Sequence, residues 1–513
     1  MGQIFRLALR NLKEHKTKTI IISCFFVFGV AIVILGNSFL ESVNRGLEKD
    51  FRANYTGDIA IGTKPEKGAI NDIFGVNTTN FTGDIPQLPA IADLDKVEQI
   101  VNSTGGIEKK TKLISAQVML AKGEDEVDLS AWTEKDDITL DNMPVSILFA
   151  GEDDTYWDTF PGLHITDGTY PAPNTNEIIV DSRLKKAFES LYDTQMNIGD
   201  KVLLLGANTK GIIRDAVVVG IFTPANENSA MFQAVYCNPG LARSFADLTY
   251  GSTFSQELPD SVDLALSDMS EDELFGDSDD EFFGDESDAS DSFMAEISID
   301  YDTILGDTTL RDELNKTDGG AWHFILLKAD RPSQTDKIIA ELNQKFEEEN
   351  LNVSALGWKT AAYSYSMSVE GIAIIFNMLI IILAVVVFII IMNTMTLSII
   401  ERTGEIGTMR AIGAKKNFVR MLFFTETGFL TIISSIGGVI LAFIIMAVFN
   451  SFNITITNSI AKMILGGGLM HFTPTVKNIL ITLFVTFAGS ILSNLYPVSS
   501  ALRITPLKAL SRE

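Results

Sequence analysis

The sequence predicts an α-helical membrane protein with four transmembrane helices, plus a large α/β extracytoplasmic domain inserted between the first and second. Three observations predict this. Apolar residues gather into four runs, at 19–40, 371–400, 423–449 and 476–496, each of about the 20 residues a helix needs to cross a bilayer. The chain is 46% hydrophobic yet carries a formal net charge of −26. That mixture resolves because most acidic residues lie between the first two runs. Lysine and arginine collect at one side of the spans: Arg6, Arg10, Lys13, Lys16 and Lys18 before the first, and Arg402, Arg410, Lys415, Lys416 and Arg420 between the second and third. Arg503, Lys508 and Arg512 follow the last, while loop 450–475 holds Lys462 alone. Basic residues in short segments mark the cytoplasmic side. Both termini and segment 401–422 are therefore expected in the cytoplasm, and 41–370 outside a cytoplasmic (inner) membrane.

The elements follow in chain order. In segment 1–18, Ile4, Phe5, Ala8, Leu9 and Leu12 share one helical face, opposite Arg6, Arg10 and Lys13, which makes an amphipathic helix on the inner leaflet. Run 19–40 reads as an uncleaved span rather than a signal peptide, because Cys24 stands near its start and a cleavage site follows such a run. Within 41–370, residues 177–180, 201–205 and 216–222 are strand-like, and 182–192 is helical in period. A second unit, strand 324–328, helix 333–349 and strand 352–356, leads through Gly357 and Trp358 into the second span. The helix buries Ile338, Ile339, Leu342 and Phe346. Between these units, 257–291 carries fifteen acidic residues and no basic one. It reads as a disordered insert. A weak divalent-cation or partner site is the alternative, although Phe282 stands where an EF-hand loop after Asp277, Asp279 and Glu281 needs glycine.

Segment 401–422 opens ERTGEIGTMRAIGAKK. It is too short to fold a domain of its own, so its expected role is to dock. Gly404 and Gly407 allow sharp turns. Ile406, Met409 and Ile412 offer an apolar face, and Glu401, Arg402, Glu405 and Arg410 offer ion pairs to a partner, with Gly413 following. In the third span Ser434, Gly438 and Ala442 recur every fourth residue, a spacing that lets helices approach closely. Glu426, just inside that span, is placed to snorkel or to cap a neighbouring helix. Pro497 is expected to end the fourth span, and 497–513 forms a cytoplasmic tail.

The chain has no GxxxxGK[ST] loop, so the usual phosphate cradle for ATP is missing. Its four histidines, His15, His164, His323 and His471, lack metal-ligand spacing. No nucleophile motif is recognisable. No enzyme, cofactor site, metal site or nucleic-acid contact is expected, and Cys24, within the first span, cannot pair with Cys237 outside the membrane.

Segment 401–416 resembles, almost position by position, the cytoplasmic coupling segment of FtsX-like ABC transporter permeases, the superfamily of macrolide exporters (MacB) and lipoprotein-release permeases. The N-terminal LALRNLKEHKTKT and the tail YPVSSALRITPLKALSRE also resemble that family, and NEIIVDSRLKKAF…NIGDKVLLL…VVVGIF resembles its MacB-like periplasmic core domain. At Gly404 the family more often has a basic or polar residue. The resemblance implies a transport subunit that works with a cytoplasmic ABC ATPase dimer holding ATP and magnesium, and with a second permease copy or paralogue. By the same resemblance, Glu401, Arg402, Glu405, Ile406, Gly407, Met409, Arg410, Ile412 and Gly413 would meet the ATPase. The work would be mechanotransmission, with lipoprotein release as the expected task and lipids, lipoproteins or a periplasmic carrier as further partners. Drug or peptide efflux and regulation of a cell-wall hydrolase are the alternatives.

Overall fold

The computed structural model describes residues 5–501 apart from 79–86, 124–143, 207–211, 224–232, 251–315, 455–470 and positions 9, 11–13, 15, 154 and 163. The acidic segment 257–291 and most of the tail lie outside the described residues. Helix α1 (Lys16–Asn54) leads into strands β1 (Ile59–Thr63), β2 (Ala69–Asp72) and β3 (Gly75–Thr78), then α2 (Leu94–Ser103), β4 (Ile107–Ala121) and β5 (Val145–Gly151). Next come β6 (His164–Gly168), β7 (Glu177–Asp181), α3 (Ser182–Tyr192), β8 (Lys201–Gly206), β9 (Ile213–Thr223), β10 (Ala234–Cys237) and α4 (Pro239–Phe245). The chain returns as β11 (Phe324–Ala329), α5 (Thr335–Glu348) and β12 (Val353–Gly357), and then becomes helical: α6 (Tyr363–Glu401), α7 (Thr403–Ala411), α8 (Lys416–Ser451) and α9 (Val476–Ala501).

Among the described residues, four helices, α1, α6, α8 and α9, are long and apolar enough to cross a membrane. Two of them, α1 and α6, are the longest. α1 and α6 each run for 39 residues, about 58 Å at 1.5 Å per residue, against a hydrocarbon core of about 30 Å. The excess of each sits at the α/β domain, since the end of α1 and the start of α6 pack into its core.

The domain combines two sheet units. Strands β12, β1, β11 and β4 lie side by side in that order, all antiparallel. With the crossing helices α2 and α5 this is a split β-α-β arrangement. Period-two alternation turns Ile59, Ile61, Ile325, Leu327, Val353 and Ala355 toward Val97, Val101, Ile338, Leu342 and Phe346 of the two helices. Strand β4 is 15 residues long and continues into a second unit, where β4, β5, β10, β7, β9 and β8 pair in a closed cycle. One set of alternate residues in that cycle, including Ile114, Val118, Leu148, Val180, Leu204 and Val218, forms a core with α3 and α4. The opposite set, including Leu113, Phe149, Ile179, Phe222 and Tyr236, faces the roots of α1 and α6.

Pro497 does not end the fourth helix, as the sequence suggested. It lies inside α9, which continues to Ala501. Its missing N–H removes one intrahelical bond, while Val498, the next residue, is buried against Ile406, Val419 and Phe423. That packing holds the helix past the proline.

Candidate functional site

The segment after α6 is a helix, α7, rather than a glycine-broken loop. Gly404 and Gly407 both sit within it. The turn out of α7 comes at Gly413, whose φ of 99° suits glycine; Ala414 N–H donates to the Met409 carbonyl at 3.0 Å to close it.

The apolar face expected to meet a partner is largely taken up inside the chain. Ile406 is buried against Val419, Phe423 and Val498, with Met409 packed alongside, and Gly407 is buried too. Arg402 is also turned inward. Its Nη1 donates to Glu426 Oε2 at 3.0 Å, its Nε donates to Glu405 Oε2 at 3.1 Å, and its guanidinium lies 5.2 Å from the centre of the Phe423 ring. Burial pulls the Arg402 pKa down, but the two carboxylates outweigh it and hold it above the usual arginine value. Removing one partner of a buried pair costs roughly 3–5 kcal/mol, because the other charge is left uncompensated. On the outer face Gly404, Thr408, Ala411 and Lys415 are exposed, and Ile412 stands out at 87% exposure.

Above this point α8 packs on α1. Ser434 Oγ donates to Ser23 Oγ at 3.0 Å. A Cβ at Gly438 would stand 2.8 Å from the Val27 carbonyl oxygen, so the residue must be glycine for the backbones to come this close. Ala442 joins Val30, Ala31 and Ile34 in the same seam. The three small residues singled out in the sequence thus face the first helix of the same chain.

At the far end, α1 and α6 are bolted to the domain. Phe51 stacks on Trp358 with centroids 6.3 Å apart, and it meets Tyr365 at 5.5 Å and Phe74 at 5.9 Å. Arg52 Nε donates to Asp58 Oδ1 at 2.6 Å, and Asp58 Oδ2 accepts from the Ala329 N–H at 2.8 Å. Buried Asp72, at the end of β2, accepts from the N–H and hydroxyl of Ser364 in the first turn of α6. These joint residues carry no sequence motif. An aspartate that caps a helix nearly 300 residues away has no local signal.

Residues 377–506 match the family model described as FtsX-like permease C-terminal, which takes in α7, α8, α9 and most of α6. The chain carries an FtsX-like permease domain. The chain is similar to YvrN, an uncharacterized ABC transporter permease of Bacillus subtilis, 22% identical over the full length of both chains. YtrF, an ABC transporter permease of the same organism, is 31% identical over 24% of this chain and 28% of its own length. MacB of Mannheimia succiniciproducens, a macrolide export ATP-binding/permease protein, is 33% identical over 24% of this chain and 17% of its own. The chain thus spans less than a third of the length of YtrF and MacB. Among solved structures, the periplasmic region of MacB from Actinobacillus actinomycetemcomitans covers 62% of this chain and 94% of its own, at 12% identity and a TM-score of 0.27.

The structure also holds a groove of about 520 Å³ between α1, α6 and α9. Phe25, Phe26, Ile381, Phe388 and Val485 supply its apolar wall, with Asn37 and Asn377 among its few polar groups. Among the described residues, no three of His, Cys, Asp and Glu come together in a way that could hold a metal ion.

Proposed function

We propose that the chain is the permease subunit of an ABC transporter working by mechanotransmission, with both termini in the cytoplasm and the α/β domain outside the cytoplasmic membrane. One observation carries the reading. α6 runs without a break from Asp72, which caps its first turn in the domain, to the residue before Arg402, which fastens α7. A push on α7 from below therefore has a continuous helical path to the domain. The ATPase would be a separate cytoplasmic dimer holding ATP and magnesium, and a second permease copy or paralogue would complete the membrane core. The outward face of α7, with Ile412, Glu405 and Thr408, would meet the ATPase; Ile406, Gly407, Met409 and Arg402 would shape that helix from behind.

The finer task proposed is release of lipoproteins from the membrane, supported by the apolar groove between α1, α6 and α9. The MacB relatives favour export of a drug or peptide equally well. A mild-detergent pull-down of the tagged chain with mass spectrometry separates the readings. A P-loop ATPase with acylated proteins supports lipoprotein release. The ATPase with a periplasmic adaptor and no acylated cargo supports efflux, and the ATPase with a cell-wall hydrolase supports a regulatory role. Retention of no ATPase would overturn the transporter reading.

A further inference from the structure

We infer that Arg402 and Glu426 latch α7 to α8, so that displacement of α7 passes through α8 into α1 and reaches the domain by that route as well as along α6. The inference rests on the permease reading above. Three contacts in series carry it. At the bottom, Arg402 stands at the N-cap of α7 and bonds Glu426 of α8 at 3.0 Å, while Ile406 of α7 is buried on Val419 and Phe423 of α8. In the middle, α8 meets α1 at close range through Ser434–Ser23 at 3.0 Å and Gly438 against the Val27 backbone. At the top, α1 runs unbroken to Asn54 and is held in the domain by Phe51 and by Arg52 on Asp58.

Geometry favours this path for a mechanical load. α8 and α1 interlock through small residues, so neither slides along the other without first separating. The spanning stretch of α6, by contrast, presents Ile374, Ile375, Met378, Leu379, Ile382 and Val386 outward and has less within the chain to hold it against bending. A charged pair also suits a latch better than apolar contact alone. Its directional bonds fix the angle of α7 as well as its distance. Arg402 and Glu426 are thus positioning residues, acting on a partner through α7.

The test uses the full chain in nanodiscs, with Cys24→Ser to remove the exposed thiol and spin labels at Ile412→Cys and Ile433→Cys. Arg402→Met should broaden the distance between these labels, Arg402→Lys should broaden it less, and the swap Arg402→Glu with Glu426→Arg should narrow it again. A distribution unchanged in Arg402→Met overturns the latch, whether or not any ATPase binds. With the co-purified ATPase, labels at Lys201→Cys and Ile412→Cys report the ATP-driven movement. That movement should fall roughly tenfold in population in Arg402→Met and return in the swap. Full movement in Arg402→Met, or loss of movement when Ser23→Cys and Ser434→Cys are joined by a disulfide, overturns transmission through α8 and α1. Failure of the unmutated chain to engage any ATPase would instead fell the permease reading, leaving the latch to be decided by the first pair of labels.

Discussion

Asp72 caps Ser364: one carboxylate oxygen, Oδ2, accepts from both the backbone N–H at 2.8 Å and the hydroxyl at 2.6 Å. Its other oxygen accepts from the Phe74 N–H at 2.9 Å. A fully buried carboxylate is tolerated only when its oxygens are satisfied in this way. The cap also places a negative charge at the N-terminal end of a 39-residue helix, where the helix dipole favours it. The result is a stiff joint between the β2–β3 hairpin of the domain and a helix long enough to cross a membrane.

Asp72→Ala should destabilise the joint by about 1–3 kcal/mol, the cost of leaving buried donors unpaired. Hydrogen exchange across residues 359–370 of the full chain checks this. Exchange there should speed up while that of β7 and β9 is unchanged. Equal protection in both regions would show that the aromatic packing around Phe51 holds the joint without the cap.

Stability of the domain should fall in acid because of His323. Burial holds its pKa down at about 3, while its Nδ1 accepts from the Ser115 N–H at 3.3 Å. Below the ordinary histidine pKa of about 6.5 the unfolded chain takes up a proton that the folded one refuses. Stability is therefore lost as pH falls from about 6.5 toward 3, by up to about 1.4 kcal/mol per pH unit. Unfolding midpoints of His323→Phe and the unmutated chain, followed through tryptophan fluorescence against pH, should diverge in this window. Parallel curves would remove His323 from the account.

Two glycines should respond in opposite directions. Gly438→Ala should cost about 1–3 kcal/mol, because its Cβ would meet the Val27 backbone at 2.8 Å and the helices must separate. Gly404→Ala lies in a helix with nothing within 4 Å of the new Cβ, and should stabilise by up to about 1 kcal/mol through helix propensity. Thermal unfolding in detergent compares them. Equal shifts would contradict the close approach of α8 to α1.

Ile412→Asp should reduce retention of the ATPase at least about tenfold while leaving the unfolding temperature in place. A side chain 87% exposed contributes little to the fold, yet an anchor at an interface centre contributes much to binding. Undiminished retention would move the contact off this face of α7.

The thiol of Cys237 should stay unlabelled by maleimide until the domain unfolds. It is buried, and burial pushes its pKa well up, so almost no thiolate forms near neutral pH. Peptide mass spectrometry of native and denatured protein reads this directly, and native labelling would place an opening motion at β10.

Much of this architecture is local, and so is legible in the sequence. Helix α3 follows the period of Leu184, Phe188 and Leu191, and its Asp181 cap bonds the Arg183 N–H at 2.8 Å. Strands β7, β8, β9, β11 and β12 stand where β-rich runs do. The spans follow from apolar length alone. Segment 401–422 stands out too, but the direction its side chains face does not. Ile406 and Met409 look like a partner's contact in one dimension, and only the approach of Val419, Phe423 and Val498 turns them into core.

Taken alone, the sequence determined the number of spans, the membrane side expected of each segment and the inserted α/β domain. Each of these rests on composition or period within short stretches of chain, where apolar transfer from water and the placement of charge decide the outcome. Only the tertiary structure decided that β1 and β4 share a sheet with β11 and β12 from the far side of the acidic segment, that six strands close into a cycle, that Asp72 caps Ser364, and that Arg402 is spent on Glu426. The last two pairings join residues 292 and 24 positions apart. Their energy comes from geometric fit and from satisfying buried polar groups, and neither exists until the chain has folded.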